Sequence, residues 1–136
     1  MTNLQAAVGV AQLKKIDTLI NKRMQIALAY KRLLKQECPD LTLAPEMSWA
    51  KTVYWLYSVL VKKTARNKII ERMEAKGIET RPFFHPVHTL PPYRCGLTLP
   101  VAEELSEKGL NLPSGYTLSR SQIEYVTETL IASYSC

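Results

Sequence analysis

The sequence predicts a small layered domain of the α/β or α+β class, and three observations carry that expectation. The chain has 136 residues, 46% of them apolar, which is enough for one ordinary core. Its first quarter repeats apolar residues at three- and four-residue steps, the period of a helix face. Beyond it, short β-branched and aromatic runs alternate with short helical stretches, so strands are few and separated by helices.

Residues 2–37 contain no proline and a single glycine, and they read as one long helix. Val10, Leu13, Ile16, Ile20, Met24, Ala27 and Leu34 fall along one face. Cys38-Pro39 ends it, because the residue before a proline is pushed out of the helical region. The first third differs from the rest: Leu4, Ala6, Ala7, Val8, Val10, Ala11 and Leu13 point almost all round the axis. A helix turn that is apolar on every side needs neighbours on every side. They come either from outside the chain, as a second subunit or a further domain, or from a central place in its own core.

After a connector over 41–50, residues 52–61 are dense in β-branched and aromatic types and read as a strand covered on both faces. Residues 64–76 predict a short helix with Ile69, Ile70 and Met73 inward and Gly77 as its stop. A second strand is expected over 78–83. A further helix follows over 100–108, with Gly109 just past its end, and then a brief extended segment over 111–114. Ser119 and Gln122 match a capping box, opening a last helix that turns Ile123, Val126, Leu130 and Ile131 inward.

Composition excludes several functions. No apolar run reaches the roughly 18 residues a membrane helix needs, and the N-terminus lacks the pattern of a signal peptide. Cys38, Cys95 and Cys136 are odd in number and widely spaced, which points to inert thiols in a reducing, cytoplasmic setting. The net charge is +6, but the basic residues are dispersed: Lys14, Lys15, Lys22, Arg23, Lys31, Arg32 and Lys35 decorate the long helix as a solvated face. That pattern argues against nucleic acid and suits a phosphorylated small ligand or an acidic partner domain.

The stretch 78–93 concentrates the chemistry. It holds Arg81, both histidines of the chain (His85 and His88), Phe83, Phe84 and Tyr93, and four of the eight prolines. Arginine and histidine bind anions, aromatics cover rings, and prolines hold a loop in one shape. Such a segment is either the wall of a binding site or a proline-stiffened connector. The prolines rule out a helix, so the three-residue step between His85 and His88 has no metal-ligand meaning, and no metal site is expected. Arg81 can grip a phosphate or carboxylate in two parallel bonds, or form a structural pair with Glu79 or Glu74. Glycine-rich phosphate loops and a serine nucleophile elbow are absent, and no lysine has an aromatic-lined, buried context for imine chemistry. No catalytic residue is expected; the chain reads as a binding half.

Several segments together resemble one family. They are residues 1–13 (MTNLQAAVGVAQL), 53–58 (VYWLYS), 77–88 (GIETRPFFHPVH), 91–93 (PPY), 99–106 (LPVAEELS) and 109–114 (GLNLPS). In that order they resemble the C-terminal part of the DegT/DnrJ/EryC1/StrS aminotransferases, which aminate nucleotide-linked keto-sugars with pyridoxal phosphate. The wording of 77–88 resembles members that act on GDP-4-keto-6-deoxymannose.

The resemblance implies a single C-terminal domain over 1–136, with a linking helix over 1–38 and a small α+β body over 39–136. It also implies a mostly antiparallel sheet flanked by helices, as in the small domain of fold-type I enzymes. The domain that carries the cofactor lysine is missing from this stretch. By itself the chain is therefore expected to bind no cofactor and to be inactive. Its partners would be the missing N-terminal domain, a homodimer partner and the nucleotide sugar. Carried over residue by residue, Arg81, His85, His88 and Tyr93 would line the substrate side, and Asn3, Leu4, Ala7, Val8 and Ala11 would lie at the interface. The rival expectation is a non-catalytic dimerisation or interaction module derived from that domain.

Overall fold

A computed structural model describes residues 1–94 and 96–134. Two of the expected inert thiols, Cys95 and Cys136, lie outside those residues; Cys38 is a buried free thiol. The elements are α1 (Asn3–Leu13), α2 (Ile16–Glu37), β1 (Thr42–Leu43), β2 (Tyr57–Leu60), α3 (Arg66–Glu74), β3 (Arg81–Pro82), α4 (Pro100–Lys108), β4 (Gly109–Leu112) and α5 (Arg120–Tyr134). The four strands form one sheet in the order β1-β2-β4-β3, and every pairing is antiparallel. The expected fold class, with its antiparallel sheet and flanking helices, is what the chain adopts.

The expected single helix over 2–37 is two helices. Thr2 and Gln5 cap the first reciprocally: the Gln5 amide donates to Thr2 Oγ1 at 3.3 Å and the Thr2 amide to Gln5 Oε1 at 2.8 Å. The ladder then breaks at Lys14 and Lys15, where Lys15 takes φ −109° and ψ 3° and its amide reaches back only to Gln12. Neither glycine nor proline stands at the break, so residue propensity does not mark it. It takes α1 away from the core, and Val10, Leu13 and Ile16, expected on the inner face, are exposed. The buried face of α2 is Ile26, Ala27, Tyr30 and Leu34. The helix ends at Glu37, just before Cys38-Pro39, as expected.

The strand expected over 52–61 is confined to 57–60. Tyr54 sits in the left-handed region at φ 47°, which a bulky side chain rarely adopts, and extended pairing cannot run through it. Similarly, the strand expected over 78–83 pairs only at Arg81 and Pro82, opposite Asn111 and Leu110 of β4. It is an edge strand two residues long, a place where proline costs no ladder bond. The brief extended segment expected near 111–114, the short third strand of the sequence reading, is β4, an inner strand over 109–112 buried at all four of its positions.

Elsewhere the local signals are expressed as read. α3 buries Ile69 and Met73 and closes at Gly77 (φ 74°), where the Gly77 amide donates to Glu74 at 2.8 Å and the Ile78 amide to Met73 at 2.9 Å. The Ser119–Gln122 capping box forms with both of its bonds, and α5 buries Ile123, Val126 and Leu130. α5 packs against both α2 and α3. The core joins these helices to the sheet through Tyr57, Val59, Leu110 and Leu112.

Candidate functional site

Residues 83–94 leave β3 as a proline-rich loop with two single 3-10 turns, Val87–Thr89 and Pro91–Tyr93. Phe83 turns its ring onto the backbone of Gly109, so close that a Cβ added there would lie 2.1 Å from the ring. Glycine is required at that position for the loop to meet β4. Two further contacts come from α4. Ser106 donates its hydroxyl to the Phe84 carbonyl at 3.0 Å, and His88 Nε2 lies 2.9 Å from Glu103 Oε1. The same Glu103 oxygen accepts the Leu99 amide at 2.9 Å. The bond from His88, then the one from Leu99, hold the Glu103 carboxyl below the usual glutamate range.

The four expected substrate-side residues do not converge on one point. Arg81 is exposed and gives Nε and Nη2 to Glu79 Oε1 at 3.1 and 2.9 Å, the structural pairing the sequence allowed. Exposed pairs of this kind contribute about 0.2–1 kcal/mol, so a ligand anion can compete for the guanidinium. His88 is 10% exposed at its side chain and held by Glu103. His85 and Tyr93 are exposed on the loop, as is Phe84.

Arg81 also lines a cleft of about 670 Å³ between α2, the end of β4 and the start of α5. Arg23, Trp55, Asn111, Gln122 and Tyr125 line it as well. The cleft thus has two guanidinium groups, one carboxylate from Glu79 and two aromatic rings, a lining suited to an anionic, partly planar ligand. Arg23 is a residue the sequence reading missed. Expected among the solvated charges of a helix face, it is half-buried and donates to the Trp55 carbonyl at 2.5 Å. Its only sequence signal was its place between Ile20 and Ile26 on the inner half of the helix.

The interface candidates are all exposed. No residue of α1 is buried; Leu4 is 76% and Val8 56% exposed, and Asn3, Ala7 and Ala11 are open to solvent as well. A central core position for this helix is excluded. Among the described residues no group of three or more histidines, cysteines or acids is arranged to hold a metal ion, and no helix is long and apolar enough to cross a membrane.

Residues 1–131 match the DegT/DnrJ/EryC1/StrS aminotransferase family. The chain is 36% identical over 137 residues to a GDP-perosamine synthase of Escherichia coli O157:H7, covering 99% of this chain and 37% of that protein. It is 36% identical over 135 residues to a GDP-perosamine synthase of Caulobacter vibrioides, covering 96% and 36%. Among solved structures, the aminotransferase TlmJ from Streptoalloteichus hindustanus superposes with a TM-score of 0.86 at 26% identity, over 96% of this chain and 35% of that one. The chain therefore spans about a third of the length of the relatives it matches.

Proposed function

This chain belongs to the DegT/DnrJ/EryC1/StrS aminotransferase family, and from that premise we propose that it is the C-terminal part of a pyridoxal-phosphate-dependent enzyme acting on a nucleotide-linked keto-deoxysugar. The observation that carries the reading is one of extent. The similarity runs nearly from end to end of this chain but over only 37% of the E. coli GDP-perosamine synthase. That relative's name supports a GDP-linked sugar, and the wording of 77–88 supports a 4-keto sugar as the substrate class. In this reading Arg81, His85 and Tyr93 face the substrate, His88, the fourth expected residue, holds their loop through Glu103, and α1, with Asn3, Leu4, Ala7, Val8 and Ala11, packs on the missing domain and on a second subunit. The setting is cytoplasmic, in keeping with three widely spaced cysteines.

The cofactor does not fit the residues present. In such enzymes pyridoxal phosphate acts as the electron sink from an imine with a desolvated lysine. Here none of the eleven lysines is buried, and the two least exposed, Lys31 and Lys108, are ion-paired with Glu46 and Glu104. The chain's own residues therefore supply positioning and no covalent step.

The test is an absorbance titration with pyridoxal phosphate, first on the purified chain and then on its mixture with the N-terminal domain of a related aminotransferase. An imine band in the mixture alone is the expected result. A band with the chain alone would identify one of its own lysines as the cofactor residue and overturn the reading. No band in either case favours the second reading, a non-catalytic dimerisation or interaction module. The uncovered apolar side chains of α1 are the observation behind that alternative.

A further inference from the structure

We infer that Glu103 and Ser106 of α4 are positioning residues for the loop 83–94, with His88 as its anchor and His85 as the imidazole presented to the ligand. The inference rests on the reading of that loop as a substrate-side wall, and it divides labour between two histidines that sequence treats alike.

A loop without strand or helix must find partners for its polar groups and a seat on the rest of the fold. Its internal bonds give curvature only. The Thr89 amide and hydroxyl donate to the Pro86 carbonyl at 3.0 and 2.7 Å, the Leu90 amide to Val87 at 3.1 Å and the Tyr93 amide to Leu90 at 2.9 Å. At the loop's start the Phe83 amide donates to the Gly109 carbonyl of β4 at 3.1 Å, and beyond that point the polar seat comes from α4. Glu103 and Ser106 are three residues apart, so they share one helix face a single turn apart. Each holds a different point of the loop: Glu103 takes His88 Nε2 at 2.9 Å, and Ser106 donates to the Phe84 carbonyl at 3.0 Å.

The Leu99 amide pins the Glu103 carboxylate, and Arg66 of α3 donates to the backbone carbonyl of Ser106 at 2.5 Å, tying that turn of α4 to α3. With its Nε2 committed to a carboxylate and its side chain 10% exposed, His88 cannot turn to a ligand without releasing the loop. Phe84, His85 and Tyr93 remain on the outer side, the first 77% and the last 61% exposed.

The test follows the imidazole nitrogens by NMR and amide exchange on the chain itself, with E103A, E103Q and S106A. In the wild type the Nε2 proton of His88, bonded to Glu103, should persist against solvent exchange, and no such protected proton is expected on the exposed His85. E103A should speed exchange at Thr89, Leu90 and Tyr93 about tenfold over wild type and leave the β4 amides unchanged, as loss of one anchoring bond predicts for a local opening. E103Q should retain most of the protection, because its amide oxygen still accepts from His88 and Leu99. S106A should loosen the Phe84 end. Unchanged loop exchange in both E103A and S106A, or β4 exchange rising in step with the loop, would overturn the inference; so would a persistent Nε2 proton on His85 in place of His88. None of these readouts needs cofactor or nucleotide sugar. Failure of the functional reading would appear as a missing imine band with the loop anchored as described.

Discussion

Arg23 Nη1 donates to the carbonyl of Trp55 at 2.5 Å and reaches that of Tyr54 at 3.5 Å, joining α2 to the segment just before β2 begins. Those two carbonyls belong to the segment that would otherwise have continued the strand. Tyr54 stands there at φ 47°, its ring stacked on Tyr57 at 6.2 Å and its hydroxyl bonded to Glu46. Tyr57 stacks in turn on Tyr30 of α2 at 4.9 Å. A strained turn persists when surrounding contacts over-determine it, and here a guanidinium, a ring stack and a carboxylate do so together. The same turn places Trp55 and Arg23 in the cleft.

Arg23→Met keeps the aliphatic stem and removes the charged donor. Hydrogen bonds from a charged group contribute about 1.5–3 kcal/mol, and that loss is expected in urea unfolding with an unchanged slope. Arg23→Lys should recover part of it. An unaffected midpoint in Arg23→Met would show that the carbonyls of 54 and 55 find water just as well.

Gly109→Ala places a methyl 2.1 Å from the Phe83 ring. The ring must leave β4, at about 1–3 kcal/mol for an overpacked contact. Because the clash is pairwise, the double variant Gly109→Ala with Phe83→Ala should be more stable than the two single effects summed. Additive effects would mean the ring has room to swing aside.

Alkaline stability follows from the tyrosines. Burial, then the hydrogen bond and charge of Glu46, push the Tyr54 phenol up from 10.0 to about 12. Burial raises Tyr30 and Tyr57 as well. A raised folded value leaves stability intact below 10.0, where both states are neutral. Above it the unfolded chain ionises first, so stability should fall progressively between pH 10.0 and about 12. In a variant whose exposed Tyr93, Tyr116 and Tyr125 are replaced by phenylalanine, circular dichroism and tyrosinate absorbance should change together over that window. Tyrosinate forming at 10.0 with the fold intact would contradict the burial of these rings.

The two ends of the chain should respond differently to mutation. Leu110→Ala, at a position 0% exposed, should cost about 2–5 kcal/mol as a core cavity. Leu4→Asp and Val8→Asp should stay within about 0.5 kcal/mol for the isolated chain, because α1 buries nothing in it. The same pair should abolish assembly with an N-terminal aminotransferase domain or a second copy, measured by light scattering. Assembly that survives both changes would remove α1 from the interface.

Sequence alone was enough wherever the signal was local. Cys38-Pro39 ended α2, Gly77 ended α3, and Ser119 with Gln122 opened α5, because caps and breakers act within a few residues of themselves. The family resemblance likewise rested on contiguous words such as 77–88. Tertiary structure decided the rest. A short strand was legible near 111–114, but residues 109–112 carry no β-branched side chain, and its inner place in the sheet comes from pairing with β2 on one side and β3 on the other. Residues 52–56 have strand-like composition but follow Arg23 and Tyr54 into a turn. His85 and His88 look equivalent in the sequence, yet a carboxylate fifteen residues away takes one and leaves the other exposed. Each of these outcomes depends on a partner distant along the chain, and residue propensity holds no information about where that partner will be.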